Sequence, residues 1–234
     1  EIKWVMNPYD EYAVEAALRL QDSVGANVTI LSMGPERTVE SIRTALAMGA
    51  DTGVLVDDPA TEGSDALGKA KVLAAALKSL EFDLVFCGHR AVDSDENQVG
   101  IMVAELAGIP HLGLAISAEV ADCKVKAQRP IEGAKVTMEA TLPALVTFGG
   151  AHAVWNPRYA SLPGIMKAKK KPLETKKLAD LGLSAGDVGA EGARVSVTAM
   201  EMTQERQAGR VLEGDTAEKA KELARLLHEE AKVI

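Results

Sequence analysis

An α/β fold, an open and mainly parallel sheet with helices on both faces, is predicted by two features of this sequence. Strand and helix signals alternate four times over the first half of the chain, and the strand signals are near-continuous apolar runs, the pattern of strands covered on both sides. With 234 residues, 47% of them hydrophobic, the chain can bury one substantial core plus an appendage. The expected division is an α/β domain over residues 1–200 and a C-terminal arm over residues 201–234.

The first helix is marked by Asn7 as N-cap, Pro8 in the first turn, and Asp10 and Glu11 at the positive end of the helix dipole. Val14, Ala17, Leu18 and Val24 give it an apolar stripe. A β-branched run at Val28–Ser32, bounded by Gly25 and Gly34-Pro35, reads as a strand. Helix Glu36–Met48 follows and is stopped by Gly49. Strand Gly53–Val56, helix Ser64–Leu80, strand Leu84–Gly88 and helix Asp95–Ala107 continue the alternation, the last stopped by Gly108 and Pro110. After His111 the rhythm changes to hairpins added to the sheet. Their strands are at Glu119-Val120, Lys124–Lys126 and Lys135–Met138, with turns at Ala121–Cys123 and Glu132-Gly133. From Gly149 to Pro172 neither period holds, so a long surface loop is expected. A capping box of Asp215 and Glu218 opens a final helix to about Val233, with Ala220, Leu223, Leu226 and Leu227 on one face.

Composition narrows the function. A formal charge of −8 and 3% aromatic residues leave no basic or base-stacking face for nucleic acid. The apolar runs Val72–Leu77 and Leu84–Cys87 fall far short of the ~20 residues of a membrane span, so the chain is not expected to be membrane-embedded. Two cysteines, Cys87 and Cys123, set up neither a disulfide framework nor a metal site. The opening residues Glu1–Val5 read as the end of an element, so a segment is expected ahead of them.

No HExxH, Walker loop or GxGxxG occurs. His89, His111, His152 and His228 are scattered without ligand spacing, and only His89 sits at a strand end. The informative stretch is Cys87–Gly100, which leaves a buried strand, turns through Gly88 and runs into a helix start expected near Asp95. In an open α/β sheet that crevice is the usual ligand site, and free N–H groups at a helix start suit a phosphate. A plain strand-to-helix connection with Asp95 as N-cap explains the same residues. Ser32–Pro35 and Asn7–Asp10 occupy comparable positions, and three such loops can converge on one adenosine-sized ligand. None supplies a base or nucleophile with a partner, which points to binding without catalysis. In the long loop, Leu162-Pro163-Gly164-Ile165-Met166 stands beside Lys167, Lys169, Lys170 and Lys171. It reads either as core packing with a solvated tail or as a docking anchor with a basic rim.

Asn7–Glu11 with Ala13–Ala16, Ile42–Asp51, Ala91–Asp93 with Asn97–Gly100, and above all Pro157–Lys171 resemble electron transfer flavoprotein beta subunits over nearly the whole chain. The resemblance implies a nucleotide-binding, Rossmann-like domain that is an electron carrier rather than an enzyme. It implies a heterodimer with an alpha subunit that holds the electron-carrying FAD and shuttles electrons from flavin dehydrogenases to an acceptor flavoprotein or quinone oxidoreductase. The beta pocket would hold AMP, or a second FAD in electron-bifurcating members, and the compartment would be a bacterial cytoplasm or the mitochondrial matrix. Carried onto this sequence, the pocket comprises Asn7, Pro8, Tyr9, Asp10, Met33, Gly88, His89, Arg90, Ala91, Val92, Asp93, Ser94, Asp95, Glu96, Asn97, Gln98 and Val99, with Tyr9 at a position that nears the partner's flavin in some members. The recognition loop spans about residues 150–172, with Leu162 as anchor beside Pro163, Ile165, Met166, Lys167 and Lys170. The arm from residue 201 would pack on the alpha subunit.

This sequence departs from the family pattern in four ways. The opening strand and loop are absent, Val99 replaces a common Thr, Arg90 replaces a common Gln, and the stretch between Thr147 and Pro157 is slightly longer. An adenine-nucleotide-sensing domain of the universal-stress type shares the sheet and crevice but has no use for Leu162–Lys171. A nucleotide-hydrolysing or adenylating enzyme would need a phosphate-activating constellation that the sequence lacks.

Overall fold

The computed structural model describes residues 4–149, 153–202 and 208–233. The chain forms two compact units, Glu1–Ser196 and Val197–Ile234.

In the first unit, α1 (Pro8–Val24), β1 (Thr29–Met33), α2 (Val39–Met48), β2 (Thr52–Val56), α3 (Ala66–Lys78), β3 (Leu84–Gly88) and α4 (Val99–Ala107) follow the expected alternation. Residues Glu36–Thr38, which read as the first turn of α2, are a separate 3-10 turn. Then come β4 (His111–Ala115), the hairpin strands β5 (Ser117–Ala121), β6 (Lys124–Ile131) and β7 (Ala134–Thr141), β8 (Ala144–Phe148), α5 (Leu162–Ala168), β9 (Leu173–Lys176) and the single turn α6 (Gly189–Gly192). Two parallel sheets result, in the orders β1-β2-β9 and β3-β8-β4.

Side-chain alternation shows helices on both faces. Neighbouring residues of a strand point to opposite sides, and Leu55 joins the core under α1 and α2 while Val56 joins the one under α3. Likewise Ala144 and Val146 of β8 meet Ala13 and Ala16 of α1, whereas Leu145 meets Val103 and Ala104 of α4 and Ala70 and Leu77 of α3. Every residue of β8 is buried, as expected of a central strand covered twice.

Three expectations need correction. The hairpins do not extend the parallel sheet; β5-β6-β7 is an antiparallel sheet of its own, and Val125 and Ala127 of β6 pack into the core shared by α1 and Phe148. The stretch expected as loop contains α5 and leads directly into β9, which pairs with β2. Helix α4 begins at Val99, four residues later than Asp95. Gly150 and His152 lie outside the described residues.

In the second unit, Asp215 and Glu218 make the predicted capping box: Glu218 N–H donates to Asp215 Oδ1 at 2.9 Å and Asp215 N–H to Glu218 Oε2 at 3.1 Å. They open α7 (Thr216–Glu229), none of whose residues is buried.

Candidate functional site

The end of β3 and the start of α1 are tied together by Asp10 of α1, which bonds to Gly88, and by Asn7 just ahead of α1, which bonds to the loop after β3. Asp10 Oδ1 accepts from the Gly88 N–H at 2.6 Å, and Asp10 Oδ2 accepts from Asn7 Nδ2 at 2.9 Å. Asn7 stands at the N-cap position but makes no side-chain cap bond. Its amide instead donates to Arg90 O at 2.9 Å, and its Oδ1 accepts from the Val92 N–H at 3.1 Å. One asparagine therefore pins two successive parts of the loop.

This approach needs a glycine. A Cβ on Gly88 would fall 2.6 Å from Tyr9 Cβ and 2.9 Å from Asp10 N, a clash with backbone that no rotamer relieves. Tyr9 stacks edge-on with His89, ring centroids 4.4 Å apart. His89 Nδ1 lies 3.0 Å from Phe148 O, so that nitrogen carries the proton. Burial raises the Asp10 carboxyl above the ordinary carboxylate value; the Gly88 N–H, the Asn7 amide and His89 oppose the rise. Burial, then the nearby Asp10 charge, pushes the Cys87 thiol up, leaving it an inert apolar group.

Beyond Arg90 the loop is an open shelf on which Ala91–Gln98 are all exposed. Asp95 and Asn97 adopt left-handed backbone at φ 57° and 53°, tolerated by Asx side chains. The amides of Glu96, Asn97, Gln98 and Val99 find no acceptor among the described residues. These unengaged amides run from the loop into the first residue of α4. Arg90 is already engaged within the chain: Nη1 donates to Asp95 Oδ2 at 3.0 Å, Nε lies 2.9 Å from Asp95 Oδ1, and Nη2 donates to the Tyr9 hydroxyl at 3.2 Å. It neutralises one of the acidic side chains bordering the shelf.

Asn7, Tyr9, Asp10, Gly88, His89, Arg90, Val92 and Asp95 are thus joined by contact, while Pro8, Ala91, Asp93, Ser94, Glu96, Asn97, Gln98 and Val99 belong to the same two segments. Met33 packs instead with Val56, Val72, Leu178 and Val188 under α3. Gly100 meets the back of the sheet, where a Cβ would lie 2.9 Å from Cys87 Sγ and 3.0 Å from Thr147 Cγ2.

The second sequence motif forms α5. The Ser161 hydroxyl accepts from the Gly164 N–H at 3.1 Å, and Pro163 lies in the first turn, where its missing N–H costs nothing. Leu162 is therefore the first residue of a helix. Leu162 is 79% exposed, Met166 73% and Tyr159 97%, and Ile165 is also exposed. Lys167, Lys169 and Lys170 are exposed as well, but Lys171 turns inward to backbone carbonyls. Upstream, Arg158 fixes the segment to α1 by donating from Nε, Nη2 and its backbone N–H to Glu15, which is only 3% exposed. Sequence reading missed this pair, because its members are 143 residues apart and neither carries a local signal. Among the described residues no cluster of potential metal ligands occurs and no helix is long and apolar enough to cross a membrane.

The sequence matches a known family. Residues 1–181 match the family model described as electron transfer flavoprotein domain. Curated relatives named electron transfer flavoprotein subunit beta are similar over almost the whole chain. That of Bacillus subtilis is 40% identical over 99% of this chain and 89% of its own length, and that of Mus musculus 40% over 96% and 87%. That of Thermoanaerobacterium thermosaccharolyticum is 34% identical over 96% and 86%. With more than three quarters of the chain inside the family model and that level of identity end to end, the chain belongs to the electron transfer flavoprotein family, among its beta subunits.

Proposed function

We propose that this beta subunit pairs with an alpha subunit, holds an adenine nucleotide on the shelf after β3, and presents α5 to the flavoproteins with which the complex exchanges electrons. The shelf carries the proposal: Asn7 and Asp10 fix the loop, Gly88 allows the approach, and unengaged amides from Glu96 to Val99 offer donors for a phosphate. AMP and FAD both supply an adenosine and a phosphate, so either fits these groups. A flavin, when bound in the complex, supplies the redox chemistry; this chain's residues bind, orient and dock. No side chain on the shelf stands as a base beside a nucleophile. An adenine-nucleotide sensor would use the same shelf but gives no account of the exposed Leu162, Tyr159 and Met166. The partners are flavin dehydrogenases and an acceptor flavoprotein or quinone oxidoreductase, in a bacterial cytoplasm or the mitochondrial matrix.

The test is co-expression with the candidate alpha subunit, followed by absorption spectroscopy and separate quantification of adenine and flavin. A flavin band with two adenines per flavin indicates FAD plus AMP. Two flavins per heterodimer, with one adenine each, indicate a second FAD on the shelf. A purified complex with no flavin band overturns the carrier reading, and one flavin with a single adenine overturns the shelf.

A further inference from the structure

Helix α5 has only seven residues, too short to persist without tertiary support. Its support is a pair of crossed helix caps. From α2, Arg43 Nη1 donates to Ala168 O at 2.6 Å and to Lys171 O at 2.7 Å, at the C-terminal end of α5. From just beyond α5, Lys171 Nζ donates to Leu46 O and Gly49 O at 3.1 Å each and to Ala50 O at 2.5 Å, at the C-terminal end of α2. Leu46 O and Ala168 O belong to the last turns of the two helices, and Gly49 O, Ala50 O and Lys171 O lie just beyond them, where the dipole favours a cation. An ammonium has three N–H donors, and all three of Lys171 are used, so its charge is held inside the chain.

The contact surface beneath the caps agrees. Gly164 and Ala168, four residues apart, form the inner stripe of α5. Ala168 is 2% exposed among Leu46, Ala47 and Met48, and a Cβ on Gly164 would strike the Ala47 carbonyl. Leu162 and Met166, with the same spacing, form the outer stripe. Turning or lifting α5 would move that stripe, and the crossed caps oppose both motions.

We propose that Arg43 and Lys171 are positioning residues that hold α5 in its docking orientation, and that Lys171 is not part of the basic rim formed by Lys167, Lys169 and Lys170. The proposal rests on the docking role assigned to α5 above. It is tested in the flavin-loaded heterodimer with Arg43→Met and Lys171→Met, each compared with Leu162→Ala. Stopped-flow flavin reduction by a partner dehydrogenase should slow about tenfold in each Met variant, equivalent to ~1.4 kcal/mol. The slowing should be the same at low and high salt, because the caps are internal. Reduction by dithionite and the flavin content should not change. Amide exchange at Ile165, Lys170 and Lys171 should quicken while that of β8 stays slow, and Lys171→Arg should recover most of the rate.

Parent rates in both Met variants alongside a slow Leu162→Ala would overturn the proposal. So would a defect that vanishes at high salt, since that is the signature of a rim charge. If a Met variant fails to assemble, Arg43→Lys decides: partial slowing with faster exchange at Ile165 supports the cap, and parent behaviour in both readouts refutes it. If Leu162→Ala itself transfers at the parent rate, the docking reading has failed, and exchange at Ile165 still shows whether the caps hold α5.

Discussion

Asp10 carries two opposed tasks, and their balance is measurable. Its carboxylate accepts from the Gly88 N–H and the Asn7 amide, yet the burial that makes those bonds possible penalises its charge and wins, holding the group above the ordinary aspartate value. An acid whose pKa is raised on folding binds more protons folded than unfolded between the two values, so its contribution to stability falls as pH rises through that window and is constant above it. Urea unfolding of the parent and of Asp10→Asn across a pH series should therefore show the parent losing ground to the variant as pH rises from about 4, then a constant difference. A parent that gains instead would show that the two hydrogen bonds outweigh desolvation. Asn7 shows why such roles escape a sequence reader. Its type and place before Pro8 signal an N-cap, but the bonds it makes reach Arg90 and Val92, and no local pattern announces partners so distant.

The elements most legible in the sequence are those with a clear apolar period or cap: α1, α3, β2, β3 and the capped α7 lie within about four residues of their expected bounds. The errors have physical causes. Asp95 looks like a cap, but Arg90 draws its carboxylate away and its backbone is left-handed, so α4 starts later without a side-chain cap. Strand β4 is broken by the left-handed Leu114, and β9 is a short, polar edge strand of four residues, which hides its pattern. Pro163 reads as a helix breaker unless Ser161 is recognised as the cap that puts it in a first turn. That turn leaves Leu162 outward, where in the proposed docking role it would fill a partner's pocket. A leucine buried at an interface is worth about 2 kcal/mol, roughly thirty-fold in affinity, so Leu162→Ala should slow electron exchange with a dehydrogenase by about that factor while flavin content stays constant. Exposed lysines act over the screening length of ~8 Å at physiological salt. Neutralising Lys167 and Lys170 together should therefore slow association at low salt and matter little at high salt. A Leu162→Ala complex as fast as the parent with every dehydrogenase tried would remove the anchor.

At the scale of the whole chain, the two units differ in how they meet the cost of folding. The first has buried cores on both faces of its sheets. In the second, α7 has fourteen residues, an apolar stripe and nothing buried, and Leu223, Val211, Met200 and Met202 are exposed. Arg225 binds Glu222 and Glu229 along α7, but exposed pairs of this kind add only ~0.3–0.5 kcal/mol each, too little to keep such a helix formed alone. An amphipathic helix of this kind gains its stability from a surface that covers the stripe, and in the proposed heterodimer that surface belongs to the alpha subunit. Covering Leu223, Leu226 and Leu227 is worth at least ~1.5 kcal/mol each, part of which offsets the ordering of the arm. Truncation after Ser196 should therefore weaken heterodimer formation by roughly 100-fold, read as a dissociation constant by analytical ultracentrifugation. The truncated chain should keep the circular dichroism and the cooperative melt of the first unit. Unchanged affinity would place the alpha-subunit contact elsewhere, and collapse of the sheet signal on truncation would mean that the arm supports its own chain's core instead.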